Sequence, residues 1–179
     1  MAVATGDLAT CLLPQKPLRM LHRRLPRLDL PGHTYYLTCC MDRRRPLLRQ
    51  AALAEALVSL YADQRDKGNI ALHGYVVIPD HYHVLLTLRG DSSISGVVRA
   101  VHSLFARHCR ATTHIRGRIW QTRFYDRVVR SESDWREKLS YLHDNPVRRH
   151  MVTAGVCYRW SSARFWETGS GPVLCDGFA

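Results

Sequence analysis

The chain has 179 residues, of which 46% are hydrophobic and 23% charged, a composition that favours one globular domain over a disordered or fibrous protein. No apolar run reaches the length of a membrane-spanning helix and no secretory signal is recognised, so we expect a cytoplasmic, nucleoid-associated protein with no membrane partner. Lysine and arginine number 26 against 15 acidic residues, and the resulting net charge of +11 favours a polyanionic partner, most often nucleic acid.

The six cysteines are spaced without a Cys-x-x-Cys pair. This spacing predicts neither a zinc-finger site nor a disulfide scaffold. We therefore expect reduced, mostly packed thiols at Cys11, Cys39, Cys40, Cys109, Cys157 and Cys175.

The domain boundaries follow the loss of periodicity at both ends. Residues 1–30 hold three of the eight prolines and several arginines, which predicts a basic, partly disordered arm that either contacts DNA or stays solvated. Residues 31–166 carry the periodic segments and are predicted to form a single domain. Residues 167–179 are predicted to form a mobile C-terminal tail.

The periodic segments alternate between strands and helices. Strands are predicted at 33–40, 70–78 and 81–88, and at the end of the aromatic and basic stretch 119–130. Helices are predicted at 51–66, from Ile94 to a loop that begins at Thr112, and at 134–144, the last capped by Ser133 and ended by Pro146. The order β-α-β-β-α-β-α predicts an α+β fold of the ferredoxin-like, split βαβ type, with an antiparallel sheet covered by helices.

Two histidines flank one bulky residue where the third strand begins. Residues i and i+2 of a strand share a face, so His81 and His83 project together, while Tyr82 and Val84 face the opposite way into a core. Two imidazoles fixed on a strand provide half of a divalent-metal site. The same spacing also describes two polar residues on a solvated face, and it does not decide between these readings.

The histidine pair belongs to the first of three segments that occur in a fixed order: residues 78–86 (IPDHYHVLL), 120–130 (WQTRFYDRVVR) and 141–148 (YLHDNPVR). Together with Gly32-His33-Thr34-Tyr35 and Trp160-Ser161-Ser162, they resemble the IS200-like Y1 transposase family of HUH endonucleases, and most closely the REP-associated tyrosine transposases. The resemblance spans about residues 32–166. The sequence departs from the family in its bulky spacer Tyr82 and in the turn Arg149-His150-Met151.

The resemblance implies a single HUH endonuclease domain and a set of roles. His81 and His83 match the family's metal-binding histidines, Tyr141 its nucleophile, and Asn145, one helical turn later, a third ligand. An amide oxygen suits Mg²⁺ or Mn²⁺. The implied activity is cleavage of single-stranded DNA through a covalent 5′-phosphotyrosine and strand transfer to a new 3′-OH. The implied partners are DNA hairpins of the repetitive extragenic palindrome (REP) type.

Several alternatives remain open on the sequence. Tyr125 is a rival nucleophile, ranked lower because Phe124-Tyr125 resembles strand packing, and His143 is a rival ligand. The tyrosine needs help to lose its proton, from a base, the metal or Lys138. A hairpin-binding protein without cleavage activity is the main competing function, and a structural metal-binding domain is a third. The protein works as a monomer if it follows the REP-associated type, but a dimer is not excluded.

Arginine outnumbers lysine, and guanidinium groups suit bidentate phosphate contacts. We expect contacts to nucleic acid from arginines after the first strand, on the outer face of the second helix, among the aromatic residues before the third helix and after Pro146. These residues are Arg43, Arg44, Arg45, Arg99, Arg107, Arg123, Arg127, Arg148 and Arg149.

Overall fold

Four antiparallel strands form one sheet in the computed structural model, which describes residues 30–178. The strands are β1 (Thr34–Cys40), β2 (Ile70–Ile78), β3 (His81–Leu88) and β4 (Tyr125–Val129), in the order β2-β3-β1-β4. The helices are α1 (Ala51–Asp66), α2 (Ile94–Thr112), α3 (Glu132–Arg148) and α4 (Ala163–Thr168). This arrangement confirms the predicted ferredoxin-like α+β fold. The arm predicted for residues 1–30 lies outside the described residues, apart from Leu30.

One face of the sheet packs against α1 and α2 and contains the larger core. Tyr82, Val84, Leu86 and Leu88 alternate along β3 and are buried in this core, as the period of two predicts. The apolar residues of α2 lie in the same core, and Ser93 caps the helix by accepting a hydrogen bond from the Gly96 amide. Hydrophobic burial on this face therefore fixes which residues of β3 remain for the other face.

The opposite face of the sheet packs against α3 around a smaller apolar cluster. Trp135, Leu139 and Leu142 contribute the helical stripe that the sequence predicts, and they contact Tyr36 and Leu85 of the sheet. The cluster covers only part of the sheet. His81 and His83 lie on the same face as this cluster and are themselves buried.

The limits predicted for α3 were wrong at both ends. Ser131, not Ser133, caps the helix, because its side chain accepts from the Asp134 amide. The helix continues through Pro146 to Arg148. A proline removes one backbone hydrogen bond, and here that loss falls in the last turn, where Arg149 and Met151 still donate to the carbonyls of Asn145 and Pro146.

The segment predicted as a mobile tail packs against β2 over its described residues. Arg65 of α1 forms two hydrogen bonds with the Asp176 carboxylate, at 2.9 and 2.8 Å, and the Leu72 amide donates to the same group at 2.9 Å. Cys175 beside it is buried, and all five cysteines within residues 30–178 are free thiols. In the described part of the chain, no helix is both long enough and apolar enough to cross a membrane.

Gly155 provides a test of how tightly the turn Gly155–Cys157 packs on α3. A Cβ atom at this position would lie 2.6 Å from the backbone carbonyl oxygen of His143. We expect Gly155→Ala to lower the free energy of unfolding by about 1–3 kcal/mol, because backbone must move to make room. Urea denaturation measures this. Gly177→Ala, where an added Cβ meets nothing within 4 Å, is the control, and equal midpoints for the two variants would contradict the packing described.

Candidate active site at the histidine pair

The two predicted metal ligands begin β3 and lie side by side. The ring centroids of His81 and His83 are 5.0 Å apart with an interplanar angle of 89°. Both side chains are buried, and burial lowers the pKa of each ring. For His83, burial and the nearby positive charges lower the pKa to about 3. Neutral imidazoles bind metal ions, so the pair is in the protonation state that a metal site requires.

Asp80 orients the first of these rings. Nδ1 of His81 lies 2.6 Å from the Asp80 carboxylate and donates to it, which leaves Nε2 with a lone pair. Burial by itself raises the pKa of Asp80, but the hydrogen bond from His81 and the charge of Arg44 lower it overall. Arg44 Nη1 lies 3.2 Å from the same carboxylate. Arg44 also has a φ of 55°, a left-handed conformation uncommon outside glycine.

Thr38 of β1 orients the second ring. Its Oγ1 lies 2.8 Å from Nδ1 of His83, directly across the β1–β3 pair. The Nε2 atoms of both histidines are therefore the nitrogens left for a metal ion. Partners of this kind fix the orientation of metal-binding histidines and raise their affinity for the ion.

Tyr141 projects from α3 toward the histidine pair. Its ring centroid lies 6.5 Å from that of His83, and its side chain is 43% exposed. The structure therefore brings together the predicted nucleophile and one predicted metal ligand, with the tyrosine accessible from solvent. Both groups belong to the same chain, so the arrangement requires no second copy.

Asn145 lies one turn after Tyr141 and is buried. Its Nδ2 donates to the Tyr141 carbonyl oxygen at 3.0 Å, which leaves the side-chain oxygen available as an acceptor or ligand. No three His, Cys, Asp or Glu side chains within residues 30–178 form a group that could hold a metal ion. An ion here would therefore be held by two imidazoles and by oxygen, and the Asn145 amide fits that donor set.

Because α3 continues through Pro146, two arginines at its end lie at the site. The Arg148 guanidinium carbon lies 5.1 Å from the centre of the Tyr141 ring, and Arg149 Nη2 lies 3.5 Å from Nε2 of His81. Each contact joins a predicted nucleic-acid-binding arginine to a predicted catalytic or metal-binding residue. The Arg149 contact also places a positive charge at a predicted metal-binding nitrogen.

Tyr36 belongs to this site, and the sequence reasoning missed it. Its ring stacks on His83 at 5.4 Å and meets the edge of Tyr141 at 6.3 Å. Burial, and secondarily the proximity of Tyr141, raise the pKa of Tyr36, so its hydroxyl stays protonated. That hydroxyl is buried without a hydrogen-bond partner among the described residues. The position could have been found from the alternation of β1, since Tyr36 lies two residues before Thr38.

Two of the alternative residues are held by other partners. His143 Nε2 lies 2.9 Å from Ser162 Oγ, and Lys138 Nζ is held by Asp134 and Glu137 at 3.4 and 2.5 Å. Tyr125 is 61% exposed, so the assumption that it packs in the sheet was wrong. It pairs with Thr38 and lies on the same sheet face as the histidines.

The remaining predicted arginines lie in different parts of the structure. Arg43 and Arg45 line a cavity of about 540 Å³ that follows β1, and Arg99 and Arg107 line a cavity of about 990 Å³ along α2. Arg123 is exposed just before β4, and Arg127 Nη2 lies 3.8 Å from Asp134. The structure therefore does not gather all nine arginines at the histidine pair.

The chain is similar to known proteins in both sequence and fold. The family model described as "Transposase IS200 like" matches residues 30–143. The REP-associated tyrosine transposase of Escherichia coli (strain K12) is 28% identical over 127 residues, which cover 70% of this chain and 73% of the relative. A solved structure of a REP-associated tyrosine transposase bound to a REP hairpin superposes with a TM-score of 0.67 and 26% identity, covering 88% of this chain and 96% of that one.

Replacing Asp80 tests whether the histidine pair is built to hold a metal ion. We expect Asp80→Ala to weaken Mn²⁺ binding about 10- to 100-fold, because His81 loses the partner that fixes its tautomer. Electron paramagnetic resonance of free Mn²⁺ measures the affinity. Asp42→Ala removes the same charge nearby without touching either histidine, and equal affinities for the two variants would argue against this role of Asp80.

Proposed function

Because the chain belongs to the family of IS200-like transposases, we propose that it is a metal-dependent single-stranded DNA endonuclease and strand transferase that acts at REP-type hairpins. The observation that carries this proposal is the position of Tyr141 beside His83, with the tyrosine accessible and the histidine neutral. The E. coli relative and the hairpin-bound structure support the choice of substrate. Action in the cytoplasm at the nucleoid is part of the same proposal.

In this proposal Tyr141 is the nucleophile. Its hydroxyl oxygen attacks the phosphorus of a phosphodiester, the bond from phosphorus to the 3′ oxygen breaks, and the 3′ oxygen leaves as a hydroxyl after taking up a proton. The DNA 5′ phosphate is then joined to Tyr141. Attack by a new 3′-OH on that phosphotyrosine reverses the step, which transfers the strand without an external energy source. Arg148, over the Tyr141 ring, is placed to bind the phosphate.

The metal ion would be Mg²⁺ or Mn²⁺, held by Nε2 of His81 and His83 and by the side-chain oxygen of Asn145. When bound, such an ion polarises the phosphate and stabilises negative charge in the transition state. Asp80 and Thr38 each contact Nδ1 of one ring, which leaves Nε2 as the remaining nitrogen of that ring. Arg149 contacts His81 Nε2, so its guanidinium would compete with the ion for that nitrogen.

Tyr36 contributes a hydrogen bond in the same proposal. Its protonated hydroxyl has no partner among the described residues, and its ring contacts both His83 and Tyr141. A phosphate bound between those two residues would accept a hydrogen bond from it, and such a donor stabilises charge that develops during the reaction. Because Tyr141 and the histidines belong to one chain, the proposed unit of activity is the monomer.

A hairpin-binding protein that does not cleave remains a second candidate. The contact of Arg149 with His81 Nε2 favours it, because a guanidinium at that nitrogen competes with a metal ion. The two candidates differ in their response to metal. Cleavage under either Mg²⁺ or Mn²⁺ supports the enzyme, and binding without cleavage under both supports the second candidate.

The proposed function predicts the outcome of replacing Tyr141. With a labelled single-stranded REP hairpin, the wild-type protein should cleave in Mg²⁺ or Mn²⁺, be inactive in EDTA and form a covalent protein–DNA band on a denaturing gel. Tyr141→Phe should lose both products, because the attacking oxygen is absent. Tyr125→Phe is the matched control and should retain both. Cleavage that survives Tyr141→Phe would place the nucleophile elsewhere.

Tyr36→Phe should slow cleavage by about 10- to 100-fold while leaving the protein folded, because it removes one donor to the phosphate. Loss of a buried hydroxyl without a partner should not lower stability. Tyr75→Phe is the control, since the Tyr75 hydroxyl is equally buried and unpartnered among the described residues but lies in the core on the α1 and α2 face. Single-turnover rates that fall equally in both variants would contradict a role for Tyr36 in the reaction.

A further inference from the structure

Arg149 lies at the histidine pair, although its side chain is exposed and forms no ion pair with a carboxylate of residues 30–178. Its Nη2 is 3.5 Å from Nε2 of His81. A guanidinium is always protonated and only donates, so the imidazole nitrogen is the acceptor. The contact therefore uses a lone pair that the proposed metal ion requires.

The other nitrogen of this ring offers no alternative. Nδ1 of His81 donates to the Asp80 carboxylate at 2.6 Å. A neutral imidazole has one N–H and one lone pair, so Nε2 carries the lone pair of His81. One lone pair serves one partner at a time, and Arg149 and a metal ion therefore exclude each other at this nitrogen.

The position of Arg149 follows from α3. Tyr141, Asn145 and Arg149 are four residues apart, which places them one above another along the helix and its C-terminal cap. The Arg149 amide donates to the Asn145 carbonyl at 3.2 Å, and the Met151 amide donates to the Pro146 carbonyl at 2.9 Å. Because the backbone on both sides is held, the guanidinium leaves His81 by rotation of the side chain alone.

The contact with His81 is weaker than the contact that a phosphate would provide. Arg149 donates once, at 3.5 Å, to a neutral nitrogen, whereas Arg65 donates twice to the Asp176 carboxylate, at 2.9 and 2.8 Å. Hydrogen bonds to ionised acceptors are shorter and stronger, and a phosphate accepts two of them from one guanidinium. A phosphate beside Tyr141 would therefore draw the Arg149 guanidinium away from His81.

From these observations we infer that Arg149 closes the metal site while no DNA is bound, and that a DNA phosphate opens the site by taking the guanidinium from His81. Metal ion and DNA then bind cooperatively, because the phosphate binds Arg149 only in the position that leaves Nε2 accessible. By linkage, the metal ion strengthens DNA binding by the same factor. The inference rests on the proposed function, whose metal ion and phosphate it uses, and it adds the control of one by the other.

Cooperativity alone does not identify Arg149 as its cause, because a bound metal ion also attracts the phosphate directly. The affinity for metal in the absence of DNA separates the two causes. Direct attraction leaves this affinity independent of Arg149, whereas a guanidinium that occupies Nε2 of His81 lowers it. The decisive comparison is therefore made without DNA and without cleavage.

Electron paramagnetic resonance of free Mn²⁺ measures this affinity in the Tyr141→Phe background, which keeps the ring but cannot form a phosphotyrosine. Arg149→Ala is the test variant. Arg148→Ala is the matched control, because it removes the same charge from the neighbouring residue, whose guanidinium lies over the Tyr141 ring. The titrations are repeated with a short single-stranded oligonucleotide, after subtraction of the Mn²⁺ that the oligonucleotide binds by itself. Circular dichroism verifies that each variant is folded.

Without DNA, we expect Arg149→Ala to bind Mn²⁺ about tenfold more tightly than its parent, within the usual range of coupling between two sites. Arg148→Ala should raise the affinity far less, because the effect of losing an exposed charge is screened by salt. The oligonucleotide should raise the Mn²⁺ affinity of the parent about tenfold and that of Arg149→Ala by clearly less.

Three outcomes would overturn the inference: equal Mn²⁺ affinities of the parent and Arg149→Ala without DNA, an equal gain in affinity for Arg148→Ala and Arg149→Ala, or an equal effect of the oligonucleotide on the parent and Arg149→Ala. None of these depends on cleavage. Cleavage by the wild-type protein together with any of them would leave the proposed function standing without this control. The expected affinities in a protein that never cleaves would refute the enzyme activity and leave the role of Arg149 standing.

Discussion

The register between β1 and β3 is the constraint on which the candidate site depends. It places Thr38 opposite His83 and Cys40 opposite His81, so the hydroxyl of Thr38 meets one imidazole and Tyr36 stacks beside it. A shift of one residue would turn both histidines into the core under α1 and α2. Burial of Tyr82 and Val84 in that core opposes such a shift, and the hydrogen bond of Tyr82 to Tyr61, at 2.7 Å, fixes the spacer as well. Packing of β3 on one face of the sheet thus fixes the positions of the two histidines on the other face.

The sequence was a good guide to the parts of the fold that depend on periodicity. The alternation of β3 and the helical stripe of α3 predict which residues are buried, because burial of apolar side chains decides both. The end of α3 could not be predicted in this way, since Pro146 disfavours helix locally and tertiary packing overrides it. The alternation of β1 indicates the sheet face of Tyr36 but not its contacts with His83 and Tyr141, and no local pattern indicates the Arg149 contact with His81, because these neighbours are distant in sequence.

The two faces of the sheet divide the chemistry between them. Neutral buried histidines, an accessible tyrosine and a hydroxyl without a partner among residues 30–178 lie on the α3 face, where we propose that a bond in DNA is exchanged. Exposed arginines without a described carboxylate partner, among them Arg99 and Arg107, lie on the α2 face. Arg149 is the exception, because this arginine lies on the α3 face and contacts a predicted metal-binding nitrogen of His81.

The most direct test of the central claim is to identify the residue that becomes joined to DNA. After reaction with a hairpin and Mn²⁺, the protein is digested with nuclease and trypsin and its peptides are examined by mass spectrometry. We predict a nucleotide adduct on the peptide 139–148, in which Tyr141 is the one tyrosine. An adduct on the peptide 124–127, which carries Tyr125, or cleaved DNA without any adduct, would contradict the account.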